Sequence, residues 1–285
     1  LDEEVRRARG REVRPPGVLA GFKDVIAVDA TVVKVDDSLQ GVWKGTRQNT
    51  TQAALKVHAW VCAFTGELLK YGITADAHGD GTAFGVDHQL RGCLVLVDKG
   101  DPSPSLWRRI QNVGGTFLTR LPKDRDPEIV RELRRHRGRA RKLAGRSLRA
   151  ALQGAQRHIV DVAALFRCRV REYRTTTNRW TEEPFRVVAV RQHDGTYEGF
   201  VTNAPPDLVP AVPRTRRLRW EVETSFKTAR SGSGLPELPS TKQHIVETLV
   251  YASLLRATTS MQALAAFRAE TAAALGVVIH PGQWQ

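Results

Sequence analysis

An α/β fold with a mixed five-stranded sheet flanked by helices is predicted by two patterns in the first half of the chain. Runs rich in β-branched residues at 24–35, 53–64 and 68–74 are joined by short connections and indicate an antiparallel meander. A strand at 93–97, a helix, and a strand at 115–120 follow in that order. Such an order predicts a parallel crossover, which completes a mixed sheet.

The crossover helix carries a start signal. Asp101 is predicted to cap this helix, with Pro102 at its first position. Its apolar face is predicted to consist of Leu106, Trp107 and Ile110.

Later segments change in character twice. Residues 123–204 are β-rich, and the Asp-Gly pair at 194–195 between two apolar runs predicts a hairpin. The remainder has a helical pattern, with two separate helices expected at 244–256 and 261–275. The predicted organisation is a linker or arm at 1–22, a core segment at 23–122, a β-rich insertion at 123–204, core completion at 205–258 and a C-terminal helical segment at 259–285.

The charge indicates an acidic polymer as the partner. The 285-residue chain has a formal net charge of +14, and most of its 44 basic residues are arginine, which grips phosphate in two places. Nucleic acid is therefore the expected partner. An arginine excess can also reflect the nucleotide composition of a genome, so charge alone does not decide the question.

Cysteine usage predicts a reducing compartment. Cys62, Cys93 and Cys168 lie far apart without a CxxC pair, which argues against both a disulfide framework and a structural zinc site. No stretch of ~18 residues is free of charge, so we expect no membrane span, and the N-terminus has no apolar signal core. We expect a cytoplasmic, nucleoid-associated protein. Because Met261 is the only methionine, Leu1 is not expected to be the natural start.

Two aspartates occupy unusual local settings. Asp29 lies inside an apolar strand, where an unpartnered charge is costly, and Asp98 follows directly after another apolar strand. If the two strands are parallel neighbours, both carboxylates meet at one point and a metal ion relieves their repulsion. Taken singly, each is more often a satisfied strand residue or a turn residue.

A third carboxylate, Glu223, lies in a basic helical segment. A rotation of about 100° per residue places it in one stripe with four cations. The four are Arg216, Arg219, Lys227 and Arg230. A carboxylate ringed by cations suits a site that holds both a metal ion and a phosphate backbone. The alternative is a solvated ion-pair ladder, which is the commoner arrangement on an isolated helix.

Weaker signals lie elsewhere in the chain. Lys44 and Arg47 are loop cations that are candidates for DNA contact. Asp76 to Asp80, with Asp87 and His88, could form a hydrolase metal site, although Gly-rich loops commonly collect such residues.

Five segments carry a resemblance to a known family. They are AVDATV around Asp29, KVH at 56–58, LVDKGD around Asp98, FVTN at 200–203 and RLRWEVETSFK at 217–227. The chain resembles the insertion-sequence transposases of the IS-four type, a branch of the DDE class with a ribonuclease-H-like catalytic core. The resemblance covers most of residues 23–258, and the 217–227 segment is its most specific part.

This resemblance implies that Asp29, Asp98 and Glu223 are the catalytic, metal-binding carboxylates. It implies two Mg²⁺ ions, with Mn²⁺ as a substitute, and a phosphate contact for Arg219. The family motif has a tyrosine and a lysine where this chain has Arg216 and Arg230. The first difference replaces an aromatic hydroxyl with a cation at the position that grips the transposon end in this family.

The implied activity is cut-and-paste transposition, in which water cleaves at the transposon ends and the released 3′-hydroxyls attack target DNA. The implied partners are transposon-end and target DNA, bound by a homodimer in a synaptic complex. In this family the insertion domain handles the opened DNA end, which makes Trp180 a conceivable base-stacking residue, although packing is the commoner role of a tryptophan in β-rich sequence. Two alternatives remain: a nuclease on the same core that cleaves without joining, and a catalytically silent DNA-binding protein derived from a transposon.

Overall fold

The computed structural model describes residues 1–10, 15–46, 52–77, 85–98, 103–134, 142–172, 175–219, 237–238 and 240–275. The chain divides into two compact units, which are Leu1–Gly85 with Arg217–Gln285, and Val86–Arg216. The described helices are α1 (Asp2–Gly10), α2 (Pro104–Asn112), α3 (Leu148–Leu152), α4 (212–219) and α5 (Gln243–Leu275). The described strands are β1 (Val25–Val35), β2 (Ala54–Cys62), β3 (Leu68–Ala75), β4 (Leu94–Leu96), β5 (Thr116–Arg120), β6 (Glu128–Glu132), β7 (Ile159–Leu165), β8 (Arg167–Glu172), β9 (Thr175–Trp180), β10 (Phe185–Arg191), β11 (Tyr197–Thr202) and β12 (Glu237–Leu238).

The first unit contains the predicted meander. β1 pairs antiparallel with β2, and β2 pairs antiparallel with β3, so this expectation is confirmed. The short β12 pairs parallel with the end of β1, at Lys34 and Val35. The β-branched residues of β1 account for its length, because their side chains pack well on a pleated surface.

The N-terminal segment forms a helix over residues 2–10. α1 buries Val5 and Ala8, and the Tyr71 hydroxyl of β3 donates a 2.7 Å hydrogen bond to Asp2 Oδ1. Three acidic residues in the first turn of α1 suit the positive end of the helix dipole. The charged composition that suggests an arm therefore belongs to an amphipathic helix in this part of the chain.

The C-terminal helix α5 is one helix of 33 residues, so the expectation of two helices is wrong. The polar run between the two predicted helices does not break the backbone. Thr258 and Thr259 donate their hydroxyl protons to the carbonyls of Leu254 and Leu255, at 2.8 and 2.9 Å. This bonding satisfies the hydroxyl groups within the helix, which can therefore continue.

The second unit begins with the predicted crossover. β4 and β5 are parallel neighbours, with Leu94 opposite Thr116, and α2 connects them. The start of α2 differs from the prediction: Ser103, not Asp101, is the cap, with its Oγ accepting from Leu106 N at 3.4 Å, and Pro104 opens the helix. The predicted apolar face of α2 is buried, at Leu106, Trp107 and Ile110.

The β-rich character predicted for 123–204 is present in β6 to β11. In this unit the strand order is β4-β5-β11-β10-β7-β6, and β8 and β9 form a separate two-stranded ribbon. The predicted hairpin connects β10 and β11, with Gly195 at φ 81° in its turn. The domain boundaries drawn from the sequence stay a prediction.

Aromatic packing forms the centre of this unit. The Trp107 ring stacks on Phe117 at 5.7 Å and meets Phe166 and Phe185 edge-on, both at 5.2 Å.

Sheets flanked by helices in both units confirm the α/β class. Over the described residues, no helix is long and apolar enough to cross a membrane.

Candidate active site

Asp29 lies in the middle of β1 in the first unit. Its backbone is paired with Ala59 of β2 in the antiparallel register. The residues before it, Val25 to Val28, are buried, whereas the Asp29 side chain keeps 19% of its surface exposed. The strand therefore holds the carboxylate rigidly at the border between the core and solvent.

A buried arginine lies next to this carboxylate. Arg219 lies on α4 and itself belongs to the first unit. Its side chain is only 7% exposed, and its Nη1 lies 3.9 Å from Asp29 Oδ1. This distance exceeds hydrogen-bond length, so the contact is an ion pair without a direct bond. Because Arg219 is buried, a ladder of solvated charges does not describe this part of α4.

Asp98 lies just beyond the end of β4 in the second unit. Val97 N donates to Leu118 O at 3.0 Å, and Thr119 Oγ1 donates to the Asp98 carbonyl at 3.2 Å. Its backbone is therefore fixed to β5, while the side chain is 47% exposed. Arg216 Nη2 lies 3.9 Å from Asp98 Oδ1, and the Arg216 side chain is 16% exposed.

Two polar residues that the sequence did not single out for a role support β5. The Asn203 side chain accepts from Phe117 N at 2.8 Å and donates to Gly115 O at 3.0 Å. Thr202 Oγ1 donates to Phe117 O at 2.5 Å. These bonds fix the strand that in turn positions Asp98. In the sequence, the feature that could have indicated this role is the Thr-Asn pair that ends the apolar run at 200–203.

The KVH segment has structural partners. Lys56 Nζ lies 3.5 Å from Asp76 Oδ1, and His58 Nε2 lies 2.9 Å from Thr74 Oγ1. Burial alone would raise the pKa of Asp76, but hydrogen bonds from Thr46 and the Lys56 charge outweigh burial and lower this pKa. Lys56 and Thr46 therefore account for the negative charge of Asp76, and no metal ion is needed to balance it.

The alternative metal site around Asp76 gains no support from the described residues. Asp87 accepts from Gln89 N at 3.0 Å and caps a short 3₁₀ turn. Asp80 lies outside the described residues. Nowhere in the described part of the chain do three His, Cys, Asp or Glu side chains lie close enough to share a metal ion.

Several predicted site residues lie outside the described residues, namely Glu223, Lys227, Arg230 and Arg47. Lys44 is exposed, and its backbone forms a bridge with Ala53. Trp180, which ends β9, is 40% exposed, and the guanidinium carbon of Arg167 lies 5.0 Å from its ring centroid. Trp180 is thus not a core residue.

The donor chemistry of the two aspartates fits a hard divalent cation. Carboxylate oxygens are the protein ligands that Mg²⁺ prefers. Asp29 and Asp98 each retain an exposed part of the side chain, so a metal ion can reach each of them.

Comparison with known families decides the assignment. The model of the family described as "Transposase DDE domain" matches residues 20–258. The chain belongs to this family. DDE transposases bind DNA and generally use divalent metal ions, which agrees with the carboxylates at Asp29 and Asp98 and with the basic charge of the chain. The IS-four branch stays a prediction.

No curated protein matches the chain. Among solved structures, the transposase domain is similar to a chain from the cryo-EM structure of a piggyBac transposase synaptic complex with hairpin DNA. The TM-score is 0.43 at 9% sequence identity, with 93% of this chain and 50% of that chain covered. The domain thus spans half the length of that protein.

Proposed function

We propose that this chain cleaves DNA at transposon ends by hydrolysis and then joins the released 3′-hydroxyl ends to target DNA. Asp29, Asp98 and Glu223 would together form one catalytic site on a ribonuclease-H-like core. The membership of residues 20–258 in the transposase DDE domain family supports the reaction class.

The observation that carries the proposal is the buried pairing of Arg219 with Asp29. An acidic residue in the middle of a strand, with a buried cation beside it, is a charged arrangement that is costly to maintain for stability alone. Glu223 follows Arg219 by four positions in the sequence. Arg216, which lies near Asp98, precedes Arg219 by three positions. The cations beside the two aspartates are therefore close in sequence to the third proposed carboxylate.

The three carboxylates would hold two Mg²⁺ ions, for which Mn²⁺ can substitute. When bound, such ions lower the pKa of an attacking water or hydroxyl and offset negative charge on the phosphodiester. The chain itself would hold the scissile phosphate in line with the attacking oxygen. No side chain needs to bond covalently to DNA in this scheme.

The cations around Glu223 would position the DNA backbone. Arg219, Lys227 and Arg230 lie in the predicted stripe, and guanidinium groups bind phosphate in a bidentate manner. Arg216 would add a further phosphate contact at the place where the family motif has a tyrosine. Lys44 and Arg47 would contact DNA from a loop. A homodimer would join two transposon ends in one complex.

A library experiment tests the joining step even though the transposon end sequence is unknown. Duplex oligonucleotides with randomised ends are incubated with plasmid and Mg²⁺ or Mn²⁺, and joined molecules are amplified and sequenced. We expect joined products that share a terminal sequence and depend on the metal ion. Metal-dependent cuts without joined products would instead indicate a nuclease, and binding without either product would indicate a silent DNA-binding protein.

A matched variant controls for contaminating nucleases. Asp29→Asn removes one proposed metal ligand with little change in shape, and it should abolish both products. Asp37→Asn makes the same chemical change at an exposed residue and should leave both products intact.

A further inference from the structure

Several arginines of the second unit, besides Arg216 near Asp98, are paired with carboxylates and are therefore neutralised locally. They pair as Arg108 with Glu183, Arg120 with Glu198, Arg157 with Glu132, and Arg186 with Asp161. These pairs stabilise strands and connections, and they leave little charge for a partner molecule.

Three other arginines of this unit donate to backbone carbonyls, and a fourth lies over an aromatic ring. Arg125 Nη1 donates to Arg167 O at 3.1 Å, and Arg149 Nη2 donates to Lys123 O at 3.3 Å. Arg146 Nη2 donates to Ala150 O at 2.8 Å. The guanidinium of Arg167 lies over the exposed ring of Trp180 at 5.0 Å. We name Arg125, Arg146, Arg149 and Arg167 the arginine cluster; all four are exposed.

The members of the arginine cluster are connected by the fold of this unit. The bond from Arg125 to the Arg167 carbonyl joins the turn after β5 to the start of β8. The bond from Arg149 to the Lys123 carbonyl joins α3 to the same turn, and Arg146 precedes Arg149 by three positions. The turn itself thus carries the exposed Lys123 within this basic surface.

Two acidic residues lie in the same turn and must be weighed against these charges. Asp126 accepts a 2.8 Å hydrogen bond from the backbone N of Arg149, so its role is to hold the start of α3. Asp124 is exposed. Exposed Glu128, whose backbone bridges Ser147 next to Arg146, is a third acidic residue near the cluster. Four arginines and Lys123 against three acidic residues leave the surface basic.

A carbonyl partner orients a guanidinium group without cancelling its charge. Each guanidinium has five N–H donors in a planar fork, and one bond to a carbonyl leaves the other donors for a ligand. Side chains held in this way lose less rotamer entropy when they bind phosphate. A phosphodiester backbone, with repeated negative charges and acceptor oxygens, is the ligand that matches several exposed guanidinium groups on one surface.

We propose that the arginine cluster binds the phosphate backbone of duplex DNA, as a second contact region in addition to the cations around Glu223. The proposal rests on the proposed function only for the identity of DNA as the partner. The contact is independent of base sequence, because arginine to phosphate bonds read no base edges.

Salt-dependent binding tests the arginine cluster. Binding of a fluorescent duplex of arbitrary sequence is measured by anisotropy between about 50 and 200 mM NaCl, a range over which phosphate contacts change affinity strongly. Each lost phosphate contact lowers the slope of log K against log salt by about 0.9. The triple variant Arg125→Gln, Arg149→Gln, Arg167→Gln should therefore lower the slope by roughly 2 to 3. An unchanged slope would overturn the proposal.

A second triple variant controls for net charge. Arg131→Gln, Arg134→Gln, Arg191→Gln also removes three exposed arginines from the same unit. Arg191 and Arg167 lie at opposite ends of the β7–β10 pair. Arg191 ends β10, next to the pairing of Val190 with Ile159, and Arg167 follows the end of β7 at which Ala164 pairs with Phe185. The control should retain the slope, and an equal fall would show that total charge decides binding. Thermal unfolding of both variants checks that the fold is intact.

Two further readouts complete the test. A fall in slope for an RNA duplex but not for DNA would overturn the choice of DNA as the partner. If the wild-type chain shows the cluster-dependent slope but forms neither cleaved nor joined products, the proposed catalysis fails while the binding surface stands. If the wild-type chain forms products and the slope does not depend on the arginine cluster, the proposed catalysis stands and the proposed binding surface fails.

Discussion

Arg219 Nη1 lies 3.9 Å from Asp29 Oδ1 in the first unit, with both side chains largely withdrawn from solvent. Arginine carries a permanent positive charge, so Arg219 places that charge beside the Asp29 carboxylate on β1. An ionised carboxylate is the form that ligates a metal ion. The pairing thus links the packing of α4 with the chemistry proposed for Asp29.

Glu223→Gln should abolish DNA cleavage and leave duplex binding within about twofold. The change removes a proposed metal ligand but keeps the size of the side chain, so the phosphate-contacting cations remain. Cleavage of labelled DNA and anisotropy binding are measured on the same preparation. Cleavage at the wild-type rate would remove Glu223 from the site.

Arg219→Ala should weaken DNA binding and lower the salt slope by about 0.9, as expected for one lost phosphate contact. It should also destabilise the fold, because Asp29 loses its nearby buried cation. Arg219→Lys keeps the charge and should recover part of both effects. Loss of stability with an unchanged salt slope would show that Arg219 serves Asp29 alone.

Asn203→Ala should lower the free energy of unfolding by about 1–3 kcal/mol, because Phe117 N and Gly115 O lose their side-chain partner. Chemical denaturation measures this change. Gln111→Ala, at an exposed position near the end of α2, should cost less than about 0.5 kcal/mol. Equal effects in the two variants would contradict the role given to Asn203 in fixing β5.

Asp24→Asn should stabilise the protein at pH 7. Burial raises the pKa of Asp24 above its ordinary 3.8, and the charge of Glu67 raises it further. Hydrogen bonds from Cys62 and Val25 lower this pKa, but they do not outweigh burial. A raised pKa means that the folded state binds this proton more tightly, so stability falls as the pH rises from the unfolded pKa through the folded one.

The benefit of Asp24→Asn should therefore be present at neutral pH and disappear below about pH 3.8, where the aspartate is protonated in both states. Thermal unfolding across this range measures the difference. Exposed Asp37→Asn serves as the control and should show little change. A lower melting temperature for Asp24→Asn at pH 7 would contradict this account.

Local sequence was sufficient for some elements and ambiguous for others. The long β-branched run of β1 and the Asp-Gly turn before β11 each permit one structure. The DPSPS segment instead offers two equivalent starts, Asp101 with Pro102 and Ser103 with Pro104. Propensity cannot choose between them. The burial of Leu106 and Trp107 agrees with the later start.

The continuity of α5 shows the same limit. A run of threonine and serine has low helix propensity, and this predicted a break after Arg256. Side-chain to backbone bonds, such as that from Thr258 to Leu254, keep these residues compatible with a helix. Burial of Val246, Val250 and Leu254 along one face provides the tertiary contribution that propensity omits.

The candidate site was predictable in its residues but not in its pairings. Asp29 and Asp98 stood out because a carboxylate inside an apolar strand, or directly after one, is costly unless a partner balances its charge. Their neighbours Arg219 and Arg216 could be recognised only as members of a basic stripe. Which cation pairs with which carboxylate depends on packing between elements distant in sequence, and no local pattern encodes it.

The most direct test of the central claim is anomalous scattering from crystals of the protein soaked in Mn²⁺, because the DNA substrate need not be identified for it. We expect a manganese peak ligated by the carboxylates of both Asp29 and Asp98, with Glu223 near enough to take part in binding a second ion. Carboxylates directed to separate places, with no shared peak, would contradict the proposed site and leave the basic surface as the main indication of function.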